Sequence, residues 1–306
     1  GVGGVGAMHE TVSTSRDERS FPAPGGLYEV GGRRLHLFCT GTGSPTVVLE
    51  NGLGETSATW QRIRAGVEGT TRVCAYDRAG QGWSDDIDEP QDGLAIAADL
   101  HGLLGQAGEQ GPFVLVGHSA GGVYVQVFAA QHPEEVAGMV LLDSMSPDEF
   151  TDLPGFGAEQ SMMRRGLGVL PSLARLGAGR LLPTSAWSSL PEPAASQVAA
   201  FSASARGMRT MRDEQSMYPT VFAQAAALTS LGGAPLVVVT ATESIDEHEQ
   251  WAELQARLAH LSTNSSTRLV DTTHAGVVDD ATGHTASVDA ILDVVRSART
   301  GQPVAG

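Results

Sequence analysis

The run Phe113-Val114-Leu115-Val116-Gly117-His118-Ser119-Ala120-Gly121-Gly122 sets a serine inside G-x-S-x-G. Four apolar residues precede the motif and a helix-forming stretch follows it. A serine on so tight a strand-to-helix turn projects its hydroxyl away from the sheet. The turn demands unusual backbone angles, and neighbours without side chains avoid the resulting clash. The following helix aims free N–H groups and its positive end at the serine, which favours an oxyanion there. The chemistry available is nucleophilic attack by the Ser119 hydroxyl. That attack needs a base to take the proton and an acid to hold the base. A bare G-x-S-x-G is a weak pattern, because Gly and Ser are common. The strand before it and the helix after it give it weight.

Positioning such a serine takes a sheet. Residues 27–30 and 34–39 flank Gly31-Gly32 as a β-hairpin. Residues 46–50, 71–76, 113–116, 136–142, 235–240 and 267–270 are further runs with strand character. Residues 94–107, 121–131 and 286–298 have helical character. Strand alternating with helix predicts an α/β fold, a mostly parallel sheet with helices on both faces. The alternation stops near Ser144. Residues 146–230 are Ala/Met/Pro-rich and helical, with breaks at Pro154, Pro171, Pro183, Pro191, Pro193 and Pro219. The expected organisation is a loose, polar N-terminal arm over 1–25, a core over 26–145 and 231–300, and a helical insertion over 146–230.

On these residues the chain resembles the α/β-hydrolase fold family, over almost all of 26–300. Three stretches besides the serine motif carry the resemblance. Val47-Val48-Leu49-Glu50-Asn51-Gly52-Leu53-Gly54 is similar to the family's strand ending in a His-Gly-x loop, with Asn51 where His is usual. Tyr76-Asp77-Arg78-Ala79-Gly80-Gln81-Gly82-Trp83-Ser84 is similar to its D-x-R-G-x-G-x-S turn. The third is His274, on a loop after the last core strand. The resemblance implies an eight-stranded sheet, a helical cap over 146–230 and an oxyanion hole made of the Leu53 and Ala120 backbone N–H groups. It makes Ser119 the nucleophile and His274 its base, in preference to His284. For the acid it offers Asp143, at the end of the strand 136–142, and Glu243 or Asp246, after the strand 235–240. Most members place the acid after the later strand. The segment Thr240 to Asp246 fits that pattern poorly, and one haloalkane dehalogenase branch carries the acid at the earlier position, so Asp143 is preferred. Asp77 and Arg78 are expected to pin loops beside the site. His118 is expected to pack or face substrate.

The implied activity is that of a serine esterase acting on a small, largely apolar ester through an acyl-enzyme. A lactonase, amidase, C–C bond hydrolase or cofactor-free perhydrolase would use the same triad. A ligand receptor built on the fold is a further class, and a non-catalytic interaction protein another. The haloalkane dehalogenase and epoxide hydrolase branches use Asp as nucleophile, which Ser119 disfavours. No cofactor or metal is called for: Gly117 to Gly122 reads G-x-x-x-G-G, which does not match the dinucleotide fingerprint.

Composition narrows the partners. The net charge is −16 over 306 residues, and all nineteen cations are Arg, so nucleic acid and anionic membrane surfaces are repelled. No run of ~18 apolar residues is present to span a bilayer. The Gly/Val-rich start without Met is compatible with a removed leader, which leaves the compartment open. Cys39 and Cys74 each sit in an apolar run, and the expectation is two buried thiols, with a disulfide as the alternative. Some of the apolar and soft residues of the insertion, among them Phe150, Phe156, Met162, Met163, Trp187 and Met211, are expected to line an apolar acyl or alcohol pocket, while most of them bury the insertion against the core. Arg206, Arg209 and Arg212, at three-residue steps, are expected to form one solvated helix face.

Overall fold

The structure is a computed structural model and describes residues 12–306 apart from 15, 18, 178, 180–186, 188, 248 and 249. Most of the expected N-terminal arm, and Pro183, lie outside the described residues. Eight strands form one sheet in the order β1-β2-β4-β3-β5-β6-β7-β8. They are β1 (Gly26–Val30), β2 (Arg33–Thr40), β3 (Thr46–Glu50), β4 (Val73–Asp77), β5 (Phe113–His118), β6 (Val136–Leu142), β7 (Leu236–Ala241) and β8 (Ser265–Val270). β2 runs antiparallel to both β1 and β4, and every other pairing is parallel.

The apolar runs are continuous because both faces of the sheet are covered. In β5, Phe113 and Leu115 enter one core while Val114 and Val116 enter the other. The first core holds Ile96, Leu100 and Leu103 of α2 (Gly93–Ala107) with Val123 and Val127 of α3 (Gly121–Gln131). The second holds Ile63 and Val67 of α1 (Gln61–Val67) with Ile291, Val294 and Val295 of α12 (Ala281–Thr300). That last helix starts five residues before the expected 286. Asp280 caps it by accepting the Gly283 N–H at 2.6 Å, a signal outside the apolar periodicity.

Between β6 and β7 the described elements are all helical: α4 (Glu149–Asp152), α5 (Phe156–Arg175), α6 (Ala194–Ala203), α7 (Ala205–Ser216) and α8 (Tyr218–Ala225). α5 packs along α7. After β7 come α9 (Thr242–Glu247) and α10 (Trp251–Ala259), and α11 (Gly276–Asp279) precedes α12.

Three expectations need correcting. Cys39 and Cys74 form a disulfide. They face each other across the antiparallel β2–β4 pair, a register that the 35-residue separation hides. The arginines of α7 are not a free solvated face. Arg206 donates to the Gly82 and Ser84 carbonyls and Arg209 pairs with Asp86, so both tie the insertion to the turn after β4, while Arg212 pairs with its neighbour Asp213. Met162 and Met163 are 70% and 43% exposed on α5, so neither is sequestered in a pocket. Helical periodicity places residues on a face, but it does not say which surface that face meets.

Candidate active site

Ser119 sits between β5 and α3 with φ at 53°, and Asp143 follows β6 with φ at 42°. Among the described residues these are the two non-glycine positions with positive φ. Such conformations cost on the order of 1–3 kcal/mol and persist only where the surroundings over-determine them. For Ser119 the surroundings are backbone. Its N–H donates to the Leu142 carbonyl at 3.2 Å, and its carbonyl accepts the Gly122 and Met145 N–H groups at 3.1 and 3.0 Å. The glycines of the motif are fixed by contact. A Cβ on Gly121 would lie 2.3 Å from the Glu50 carbonyl oxygen, and one on Gly117 would lie 2.6 Å from the Gly121 backbone. Among the described residues the Ser119 side chain hydrogen-bonds to nothing, and its residue is half-buried.

The Asp143 backbone N–H donates to the Val239 carbonyl at 2.7 Å, which locks the end of β6 onto β7. Its carboxylate is buried and converges on four donors. His274 Nδ1 and the Ser244 hydroxyl lie 2.5 Å from Oδ2. The Ala241 N–H and Trp251 Nε1 lie 3.0 and 3.2 Å from Oδ1. Burial alone would raise this carboxyl; the hydrogen bonds from His274, Ser244 and Ala241 outweigh it and hold Asp143 below the usual carboxylate range. The other two acid candidates lie elsewhere. Glu243 accepts the His274 backbone N–H at 2.7 Å rather than the ring, and Asp246 is exposed. His284 lies in the first turn of α12, with Nδ1 2.5 Å from the Asp280 carbonyl oxygen.

Leu53 and Ala120 keep backbone N–H groups without an acceptor among the described residues. The loop that carries Leu53 is heavily pinned. Arg78 donates to the Asn51 carbonyl at 2.6 Å, to the Gly52 carbonyl at 3.1 Å and to Glu50. It also forms a bidentate pair with Glu214 of α7, at 3.0 and 2.9 Å, and lies over the Tyr124 ring. Burial acts to lower the Arg78 pKa, but the two carboxylates carry it well above its ordinary value. Burial pushes Glu50 up against the pull of Arg78, as expected where one cation serves two acids. Asn51, in the usual His position, is completely satisfied. Its Nδ2 donates to the Tyr76 carbonyl and Gln81 Oε1, and its Oδ1 accepts from Trp60 Nε1 at 2.8 Å. Asp77 accepts from Ser57, Trp83 and His36, which fixes the turn after β4.

Sequence reasoning missed Glu55 and its pairing with His118. The two side chains are 2% and 1% exposed and hydrogen-bonded to each other, and His118 Nε2 lies 3.0 Å from the His274 carbonyl oxygen. Burial would lower the His118 pKa, but the Glu55 charge beside it leaves it raised. The only sequence signal was a glutamate directly after Gly52-Leu53-Gly54. Trp187 of the insertion stands edge-on to His118, with centroids 6.1 Å apart. A group with metal-ligand potential, His101, His132 and Glu135, lies at the far end of α3 from Ser119.

A sheet of this order, with a serine at a strand-to-helix elbow and a His–Asp pair beyond β6 and β8, defines an α/β-hydrolase architecture. The family model for the alpha/beta hydrolase fold matches residues 45–289, and the chain belongs to that family. A Schizosaccharomyces pombe protein described as uncharacterized, C23C11.06c, is 36% identical over 174 residues, 47% of this chain and 32% of that protein. The uncharacterized Bacillus subtilis protein YqjL is 33% identical over 130 residues, 42% of this chain and 51% of that one. The matched segments thus span a third to a half of those relatives. Among solved structures, the Cif epoxide hydrolase from Acinetobacter nosocomialis superposes with a TM-score of 0.72 at 18% identity, covering 94% of this chain and 96% of that one. The epoxide hydrolase CorEH superposes with a TM-score of 0.66 at 18% identity, covering 87% and 96%. At such identity the likeness is one of fold.

Proposed function

We propose that this hydrolase-fold protein is a serine esterase that cleaves a small, largely apolar ester through an acyl-enzyme. The observation that carries the reading is the 2.5 Å contact between Asp143 and His274 Nδ1, with Ser119 held at a positive-φ elbow whose N–H donates to the carbonyl of Leu142, the residue before Asp143. A carboxylate on Nδ1 fixes the tautomer that leaves Nε2 free to accept a proton. His274 takes the Ser119 proton as the hydroxyl oxygen attacks the ester carbonyl. Asp143 stabilises the imidazolium that forms. The Leu53 and Ala120 N–H groups hold the oxyanion, and losing one such donor typically costs about 3–4 kcal/mol of barrier. The alcohol leaves with the proton from His274, and water then attacks the acyl-enzyme with His274 again as base. Half-buried Met145, whose N–H donates to the Ser119 carbonyl, supplies apolar surface beside the serine, in keeping with an apolar acyl or alcohol group. The helices between β6 and β7 serve as the cap. A serine at the elbow sets the chain apart from epoxide hydrolysis through an aspartyl ester. The Cys39–Cys74 bridge favours an oxidising compartment.

The test is labelling by a fluorophosphonate probe together with turnover of p-nitrophenyl esters. Labelling and burst kinetics, both abolished in Ser119→Ala, are expected. A wild-type protein that neither labels nor turns over would end the reading and leave a binding protein on a hydrolase fold.

A further inference from the structure

We infer that His118 is a positioning residue, a buried imidazolium that clamps the loop of the base His274 to the oxyanion loop through Glu55. The inference rests on the esterase reading, since it assigns His274 as base and Leu53 as an oxyanion donor. Its ground is geometric. His118 Nδ1 contacts Glu55 Oε1, and His118 Nε2 lies 3.0 Å from the His274 carbonyl oxygen. A carbonyl oxygen can only accept, so Nε2 carries a proton. A carboxylate likewise only accepts, so Nδ1 carries one too, and a ring that donates from both nitrogens is charged. The shared proton belongs on the imidazole, whose ordinary pKa lies about two units above that of a glutamate. The charged groups facing the ring are Glu55, Asp143 and Asp279, all acidic, with His274 and Trp187 as ring neighbours.

The pair connects two parts of the machinery that are far apart in sequence. Glu55 Oε2 accepts the Gly52 N–H at 2.8 Å, one residue before Leu53. A Cβ on Gly52 would lie 2.6 Å from Glu55 Oε1, so the contact requires glycine there. At the other end, His274 is held at three points. Its N–H donates to Glu243 at 2.7 Å, its carbonyl accepts from His118 at 3.0 Å, and its ring donates to Asp143 at 2.5 Å. The ring contact leaves rotation about the backbone, and the two peptide contacts remove it. A buried ion pair is weak evidence for stability, because desolvation offsets most of the attraction. Its value here is orientation: an imidazole displaced by about 1 Å meets the serine poorly, which can cost on the order of 10²-fold in rate.

Two measurements test this. Nitrogen-15 NMR of histidine-labelled protein should show both His118 nitrogens still at imidazolium shifts at a pH above the ordinary histidine value of about 6.5, where an unperturbed ring is mostly neutral. Glu55→Gln should return that ring to a neutral tautomer. A neutral His118 in the wild type overturns the inference and needs no variant. Kinetically, Glu55→Gln and His118→Gln should lower kcat on a p-nitrophenyl ester by about 10–100-fold with KM little changed, the scale seen when a support behind a functional ligand is lost. Unchanged kcat, with Ser119 still labelled by fluorophosphonate, sinks the positioning role and leaves the esterase reading intact. A wild-type protein without labelling sinks the esterase reading instead, and the NMR result then reports an ion pair with no base to position.

Discussion

His274 Nδ1 and Asp143 Oδ2 meet at 2.5 Å across 131 residues of chain. In Asp143→Asn, the amide must place its oxygen toward the Ala241 N–H and Trp251, which leaves its NH2 facing His274 and Ser244. Nδ1 must then accept, Nε2 carries the proton, and the ring cannot take one from Ser119. We expect kcat to fall by about 10³–10⁴-fold with the fold retained. Circular dichroism and ester turnover measure both, and a loss under tenfold would remove Asp143 from the triad.

Glu149 sets a pH signature. It is buried, with Oε1 accepting the Ser146 N–H at 2.7 Å and Oε2 without a partner among the described residues. Burial, with Asp143 and Glu159 nearby, pushes it up to about 8. The folded value is above the unfolded one, so the unfolded chain ionises first. Stability therefore falls as pH rises from about 4.5 to about 8 and levels off above, by a few kcal/mol in all at ~1.4 kcal/mol per unit. Asp77 and Asp143 act in the opposite sense, because their folded values are depressed. Their contribution is present above the ordinary carboxylate range and is lost as pH falls through the folded values. Denaturant titrations across pH 4–9 should show Glu149→Gln gaining stability over wild type at pH 8 and not at pH 4. A parallel pair of curves would disprove the shift.

The disulfide closes a loop of 35 residues, for which the chain-entropy model gives about 4 kcal/mol. Cys39→Ala with Cys74→Ala, or reduction of the wild type, should lower stability by about 2–4 kcal/mol without abolishing ester turnover. Equal melting temperatures with and without reductant would show that the thiols are unpaired in solution.

Local pattern carried the sheet and the elbow into view. β6 and α3 begin and end where the apolar runs do, because a strand covered on both faces has no polar interruption. His274 was visible as the histidine after the last strand. What stayed hidden depends on register and on side chains meeting through space. The Cys39–Cys74 pairing follows from which residue of β2 faces which of β4. Glu214 and Arg206 look like ordinary polar positions of a solvated helix, yet Glu214 is buried on Arg78 and Arg206 grips the Gly82 and Ser84 carbonyls. Glu55 needed the backbone of Gly52 and the far end of the chain before it had anything to hold.

Arg78 joins the insertion to the loop of Asn51, Gly52 and Leu53, so its loss should register in both stability and rate. Replacing it with Met removes the partner of Glu50 and Glu214 and frees the Asn51 and Gly52 carbonyls. Breaking a buried pair from one side typically costs about 3–5 kcal/mol, because the remaining charge stays desolvated. Adding Glu214→Gln to Arg78→Met should recover part of that stability, since one unpaired carboxylate is gone. It should not recover kcat, because the donors to the Asn51 and Gly52 carbonyls are still missing and the Leu53 N–H is no longer aimed. Denaturant midpoints and ester kinetics on the single and double variants separate the two effects. Recovery of kcat along with stability would mean that Arg78 acts through the fold alone.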